Sequence, residues 1–168
     1  MTDVSIRLAR TDDLAEIVTI YNQAILLKSA TADTSPVSVQ SREQWLADHR
    51  PETYPVYVST QDEAVTGWCS LSPYRPGREA LRFTAEVSYY VHEVWRRQGI
   101  GRALLQHAVD ECPRLGLKTL FALLLEINTP SVALLESLGF GRWGFMPGVA
   151  DFDGSECGHL VYGRRVVE

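Results

Sequence analysis

With 168 residues the chain has the size of one common domain, 1–168, and room for a sizeable core. Hydrophobic residues make up 45% and charged residues 22%, an ordinary globular balance, and a net charge of −5 without a basic block argues against nucleic acid as the main partner. No apolar run approaches the ~20 residues of a membrane helix, no signal-peptide pattern opens the chain, and Cys69, Cys112 and Cys157 form neither a CxxC pair nor a zinc spacing, so a cytoplasmic setting with reduced thiols and no metal is expected.

Residues 4–9, "VSIRLA", alternate as a strand does. Thr11 or Asp12 is placed to cap a helix whose inner face carries Leu14, Ile17, Val18, Tyr21 and Ile25. The polar, proline-bearing segment 28–38 is a loop, and Ser41 opens a second helix through His49 with Trp45 and Leu46 inward. Segments 54–60 and 64–74 read as strands joined by the short "QDE" connection. After the turn-rich loop 73–80, "LRFTAEVSYYV" (81–91) reads as a long strand. A helix follows from about Gly99 to Leu115, with Leu104, Leu105, Ala108 and Val109 inward and Gly116 as its C-cap. The apolar run 118–126 suits a strand buried on both faces. Residues 128–140 form a short helix capped by Asn128 or Thr129 and closed by Gly139, and two more strands, 142–149 and 158–167, flank a "DFDGSE" turn. The fold class is one α/β domain with strands in the middle and helices covering them.

The stretch "RRQGIGRALL" (96–105) lies where a strand hands over to a helix. The first turn of a helix has N–H groups with no intrahelical partner and the positive end of the macrodipole. Gly99 and Gly101 remove side chains that would hold a phosphate away, and Arg96, Arg97 and Arg102 add charged donors, so the physical reading is a diphosphate site. It is not a P-loop, because the lysine of GxxxxGK[ST] is missing. It is not a dinucleotide turn either, because Leu104 stands where GxGxxG needs its third glycine. The plainer alternative is a glycine-eased turn into a helix.

Arg96-x-x-Gly99-x-Gly101, directly after a strand, resembles the acyl-CoA pyrophosphate motif of the GNAT superfamily of N-acetyltransferases. "IRLARTDDLAEIVTIYNQAI", "SATADTSPVSVQSREQWLADH", "YPVYV", "GWCSLSPYR", "TAEVSYYV", "NTPSVALLESLGF" and "WGFMPGV" extend the resemblance over nearly the whole chain, toward the phosphinothricin and methionine sulfoximine/sulfone acetyltransferases. The resemblance implies a mixed, mostly antiparallel, twisted sheet of about seven strands with splayed central strands and about four flanking helices. It implies that acetyl-CoA lies in the splay, with pantetheine along Tyr89, Tyr90 and Val91 and pyrophosphate on Arg96, Arg97, Gln98, Gly99, Ile100 and Gly101. Asn128 matches a cofactor-contacting amide, while on its own it reads equally as a helix N-cap.

Glu86 sits inside a core strand, where an unpaired carboxylate is costly. Strand alternation alone would often point such a residue to solvent. An amine must lose its proton before it attacks a thioester, and Glu86 matches the family's proposed base. In the resembling branch the loop 73–80 borders the acceptor pocket, Arg75 matches an arginine near it, and Thr84 shares a strand face with Glu86. Trp68, Tyr74 and Tyr89 are candidate pocket walls or plain core aromatics. Leu135 stands where the superfamily often has a tyrosine and this branch a histidine as acid for the departing thiolate. His159 and Tyr162 are possible substitutes with a structural role as the simpler reading, and His49, His92 and His107 fall on surfaces. The resemblance thus implies acetyl transfer to a small-molecule amine acceptor of amino-acid type by direct attack in a ternary complex, in a homodimer with no nucleic-acid or membrane partner. A protein N-terminal or lysine acetyltransferase and an acyl-CoA-binding sensor are the alternatives.

Overall fold

Asp62 and Glu63 both take positive φ, 49° and 67°, and this two-residue reversal joins β2 (Val56–Gln61) to β3 (Ala64–Pro73). Positive φ at both turn positions matches the twist of the flanking strands, so Gln61 pairs with Ala64. The structure, a computed structural model, describes residues 4–167. Further elements are β1 (Ser5–Leu8), α1 (Leu14–Leu26), α2 (Val39–Asp48), β4 (Thr84–Val91), α3 (Ile100–Leu115), β5 (Thr119–Leu125), α4 (Thr129–Ser137), β6 (Gly141–Phe152) and β7 (Ser155–Arg165). The seven strands form one sheet in the order β1-β2-β3-β4-β5-β7-β6, antiparallel except for β4–β5. Seven strands, four helices and a mixed, mostly antiparallel sheet among the described residues are the architecture that the family resemblance implied.

The sheet is covered on both faces. On one, Leu104, Leu105, Ala108 and Leu135 of α3 and α4 pack onto Leu71, Val87, Leu120 and Leu160. On the other, Ile17 and Ile20 of α1 pack onto Val56, Val58 and Trp68, with Trp45 and Leu46 of α2 half-buried at the edge. Trp68 donates its indole N–H to the Ile17 carbonyl at 3.1 Å, which fixes α1 on the sheet. Gly116 ends α3 at φ +71°, as its sequence position implied.

Several boundaries differ from the sequence reading. Ser38, not Ser41, caps α2: its hydroxyl accepts from the Ser41 N–H at 3.1 Å and its own backbone is extended, so Val39 already lies in the helix. β4 begins at Thr84 rather than at 81, because residues 79–81 close a 3₁₀ turn in which Arg82 N–H donates to Glu79 O. The "DFDGSE" turn shrinks to Asp153-Gly154, φ 55° and 89°, since Asp151 pairs with Glu156 and Phe152 with Ser155. β5 is buried except at Leu123, which is 38% exposed and borders the gap between β4 and β5.

The β4–β5 ladder is short. Thr84, Ala85 and Glu86 pair with Thr119, Leu120 and Phe121, and from Val87 onward the two strands separate while β4 stays paired to β3 as far as Val91. Thr84 O and His92 N–H are used toward β3. By strand alternation the backbone N–H and C=O of Val87, Tyr89 and Val91 therefore face the gap.

Candidate active site

Two cavities meet along β4. The larger, about 510 Å³, fills the gap between the separated strands and reaches the start of α3. Tyr89, Tyr90 and Val91 line it from β4, Asn128, Ser131 and Leu135 from the α4 side, and Arg96, Arg97, Gly99, Ile100 and Gly101 from the turn between β4 and α3. Nine of the ten residues assigned to the cofactor by resemblance thus border one cleft. Gln98 does not: it is exposed, and its amide donates back to Val94 O at 3.3 Å.

The turn explains why the sequence is glycine- and arginine-rich there. Gly99 is the N-cap of α3 with φ +81° and no side-chain cap, and the first intrahelical bond runs from Ala103 N–H to Gly99 O at 3.0 Å. The N–H groups of residues 100–102 are therefore open to the cleft end, where the helix dipole is positive. Arg97 itself holds φ +60°, a strained conformation for a residue with a Cβ. Arg96 Nε donates to Val91 O at 3.4 Å, and Arg102 donates to Ser137 Oγ at 2.9 Å, which ties α3 to α4. Open backbone donors, a glycine at Gly101 and guanidinium groups on the same rim fit a diphosphate, and the gap above fits an extended arm with free backbone partners.

Asn128 caps α4, its Oδ1 accepting from Ser131 N–H at 3.4 Å, and the residue also borders the cleft. Leu135 is fully buried. Beside it the Tyr89 hydroxyl and Ser131 Oγ lie 2.8 Å apart, and burial pushes the Tyr89 phenol up to about 12, so it stays protonated.

The smaller cavity, about 190 Å³, lies on the α1–α2 side of β4. Glu86 lines it, and Ser88 and Tyr90 line both cavities. Burial raises the Glu86 pKa above the ordinary carboxylate value, and desolvation is its one resolved cause. Trp68 and Trp45 form aromatic walls with their rings 5.4 Å apart. Arg42 of α2 supplies the cavity's one cationic side chain among the described residues. Sequence reasoning missed Arg42, because a lone arginine on a polar helix carries no motif. Its (i, i+3) spacing to the inward Trp45 was the available signal.

Other candidates fall elsewhere. Arg75 is exposed on the loop at φ +51° and does not line the cavity. Thr84 shares the face of Glu86 but does not line the cavity. Tyr74 packs edge-on against Phe121, 5.0 Å between ring centres, and Tyr89 belongs to the larger cleft. Tyr162 is buried and donates to Glu136 at 3.0 Å. His49 is half-buried rather than on the surface, with Nδ1 2.6 Å from Trp45 O, because it closes α2 against the sheet. The three cysteines are free and buried, with Cys69 and Cys112 pushed up to about 12 by burial, which makes them poor nucleophiles. Among the described residues no three His, Cys, Asp or Glu side chains are grouped to hold a metal, and no helix is long and apolar enough to cross a membrane.

Comparison with known proteins gives a consistent picture. The sequence profile described as the acetyltransferase (GNAT) family matches residues 17–140. The L-methionine sulfoximine/L-methionine sulfone acetyltransferase of Salmonella typhimurium is 36% identical over 146 residues, 87% of this chain and 85% of the relative. An L-amino acid N-acyltransferase of Escherichia coli is also 36% identical, over 87% of this chain and 84% of its own. Among solved structures, a GNAT superfamily phosphinothricin acetyltransferase from Sinorhizobium meliloti in complex with AcCoA superposes with a TM-score of 0.91 at 31% identity, covering 98% of this chain and 89% of that one.

Proposed function

The chain belongs to the acetyltransferase (GNAT) family, and from that premise we propose that it acetylates the primary amine of a small amino-acid-like acceptor, with donor and acceptor bound together and no acetyl-enzyme formed. Enzymes of this family use acetyl-CoA, which supplies the acetyl group as an activated thioester. The observation that carries the reading is the position of Glu86, which lines the small cavity at the point where β4 leaves β5 and the large cleft begins.

Each group then has a task. Gly99, Ile100, Gly101 and the arginines at 96 and 97 hold the cofactor's diphosphate. The backbone groups of Tyr89 and the N–H of Val91, which face the gap, would hold its arm, and Asn128 borders the same cleft. The Glu86 carboxylate takes the proton from the acceptor's ammonium, directly or through one water, so the free amine is the attacking species. Burial raises the basicity of that carboxylate, which suits it to the task. Leu135 has no proton to give, so the leaving thiolate, with a solution pKa of roughly 8.5 by analogy with cysteine, is protonated from water or from a hydroxyl on the cleft wall.

Relatives named for methionine sulfoximine, methionine sulfone, L-amino acids and phosphinothricin support an acceptor with both an amine and an acid group. A cavity of about 190 Å³, below the ~300–1,000 Å³ of drug-sized ligand sites, favours a small molecule over a peptide chain. Three free thiols suit a reducing cytoplasm. Trp143 and Val149 of the edge strand β6 are exposed apolar side chains, which supports a homodimer that sedimentation equilibrium would detect. The deciding experiment is thiol release from acetyl-CoA against a panel of methionine sulfone, methionine sulfoximine, phosphinothricin, ordinary amino acids and peptide N-termini. Turnover of the small acceptors upholds the reading; turnover of peptides alone, or acetyl-CoA binding without turnover, overturns it.

A further inference from the structure

An amino acid presents two charges, and the small cavity beside Glu86 offers one counter-charge for each. Glu86 on β4 is the anion. The cation is Arg42, which enters from α2 on a different wall, while the rest of the lining is aromatic, aliphatic or serine. Resting on the amino-acid reading above, we propose that Arg42 holds the acceptor's acid group and so sets the preference for amino acids over simple amines.

Arg42 is placed for this and under-used. Its guanidinium carbon lies 5.0 Å from the Tyr21 ring centre, a cation–π contact that consumes none of its N–H donors. Among the described residues its ionic partner is Asp33 of the loop between α1 and α2, with Nη2 3.5 Å from Oδ2. A charge-assisted N–H···O bond is normally ~2.7–2.9 Å, so this pair is loose and leaves the planar fork free for the acceptor's α-carboxylate. Asp33 is itself engaged by the Tyr21 hydroxyl, so an incoming acid group replaces it on Arg42 without stranding it. No other arginine competes. Arg75 is exposed outside the lining, and Arg82 stacks 4.1 Å over Phe83 while donating to Glu79 O.

The bland alternative is that Arg42 merely pins the loop to α2. The two are separated with the full-length protein and its R42Q and R42K variants, assayed on methionine sulfone and on the amine that lacks only its carboxylate. Acid-group recognition predicts that R42Q lowers the preference for methionine sulfone over the amine by about tenfold or more, through KM, with part of it recovered in R42K. A loop-pinning role changes both acceptors alike, and either that result or an unchanged preference overturns the proposal. If the wild-type protein acetylates neither compound, the amino-acid transferase reading fails. Fluorescence titration of Trp45 and Trp68 with methionine sulfone in the presence of CoA then decides Arg42 alone: binding lost in R42Q upholds it, and equal or absent binding overturns it.

Discussion

Glu86 of β4 stands opposite Phe121 of β5 at the last rung of their parallel ladder, and one residue further the strands have parted. The carboxylate is thus held by a paired backbone while its side chain looks into the small cavity beside the large cleft. A paired strand fixes a side chain better than a loop does, which is what a proton acceptor requires.

Glu86→Gln tests the base directly. Only the deprotonated carboxylate accepts a proton, so wild-type kcat/KM should climb with pH through the raised Glu86 pKa. The variant should lose about 10²–10⁴ in kcat/KM and show no such limb in a pH–rate profile. An unaltered profile removes Glu86 from the mechanism.

The same substitution should stabilise the fold. A carboxyl whose pKa is raised on folding contributes stability that is present below its ordinary value of 4.5 and is lost as pH rises through the folded value. At neutral pH the wild-type charge is therefore a burden that glutamine lacks. Glu86→Gln should raise Tm by about 1–3 °C at pH 7, and the gain should vanish below pH ~4. Equal Tm values at both pH values would show that solvent in the cavity already relieves the charge.

Gly99 and Gly101 should fail for different reasons when changed to alanine. At Gly99 an added Cβ meets nothing within 4 Å, but φ is +81°, so Gly99→Ala should lose about 1–2 kcal/mol of stability in denaturant titration. At Gly101 φ is ordinary and the nearest atom is the flexible Leu134 Cδ2 at 3.3 Å. Gly101→Ala should keep its stability within about 0.5 kcal/mol and weaken acetyl-CoA binding, measured by calorimetry, because the methyl group stands among the open N–H groups.

Arg97 carries strain that only its charge explains. Arg97→Gly relieves the φ of +60° and should leave Tm unchanged or higher. KM for acetyl-CoA should nevertheless rise about three- to tenfold at low salt and by less at 0.5 M salt, where screening already weakens the wild-type contact. A KM that does not respond to the substitution would take Arg97 out of the anion site.

What the sequence made legible was whatever is written locally. Gly116 and the apolar run 119–125 announce a helix end and a buried strand, and the Gly99–Gly101 turn announces an anion site, because φ preferences and periodicity act within a few residues. Ser38 was passed over for Ser41 because two serines three apart each satisfy a capping pattern, and only the extended backbone at Ser38 decides. Arg42 was passed over because its role depends on how α2 lies against β3 and β4. Arg75 is matched by resemblance alone, and in the structure it is exposed on its loop, outside the cavity lining. The strand break after Glu86 followed from the family resemblance, and no residue at that point announces it.

The wall shared by the two cavities has an evolutionary consequence. β4 offers its backbone to the gap and its side chains at 86 and 88 to the small cavity, where Ser70 pairs with Ser88 and Ser72 with Glu86. Ser70 and Ser72 line the small cavity and not the cleft, so their replacement alters its size and polarity while leaving the main-chain groups of the cleft in place. Acceptor choice and donor use are thereby separately heritable: a lineage can drift from one amine to another by exchanging serines, without renegotiating the part of the fold that every member must keep.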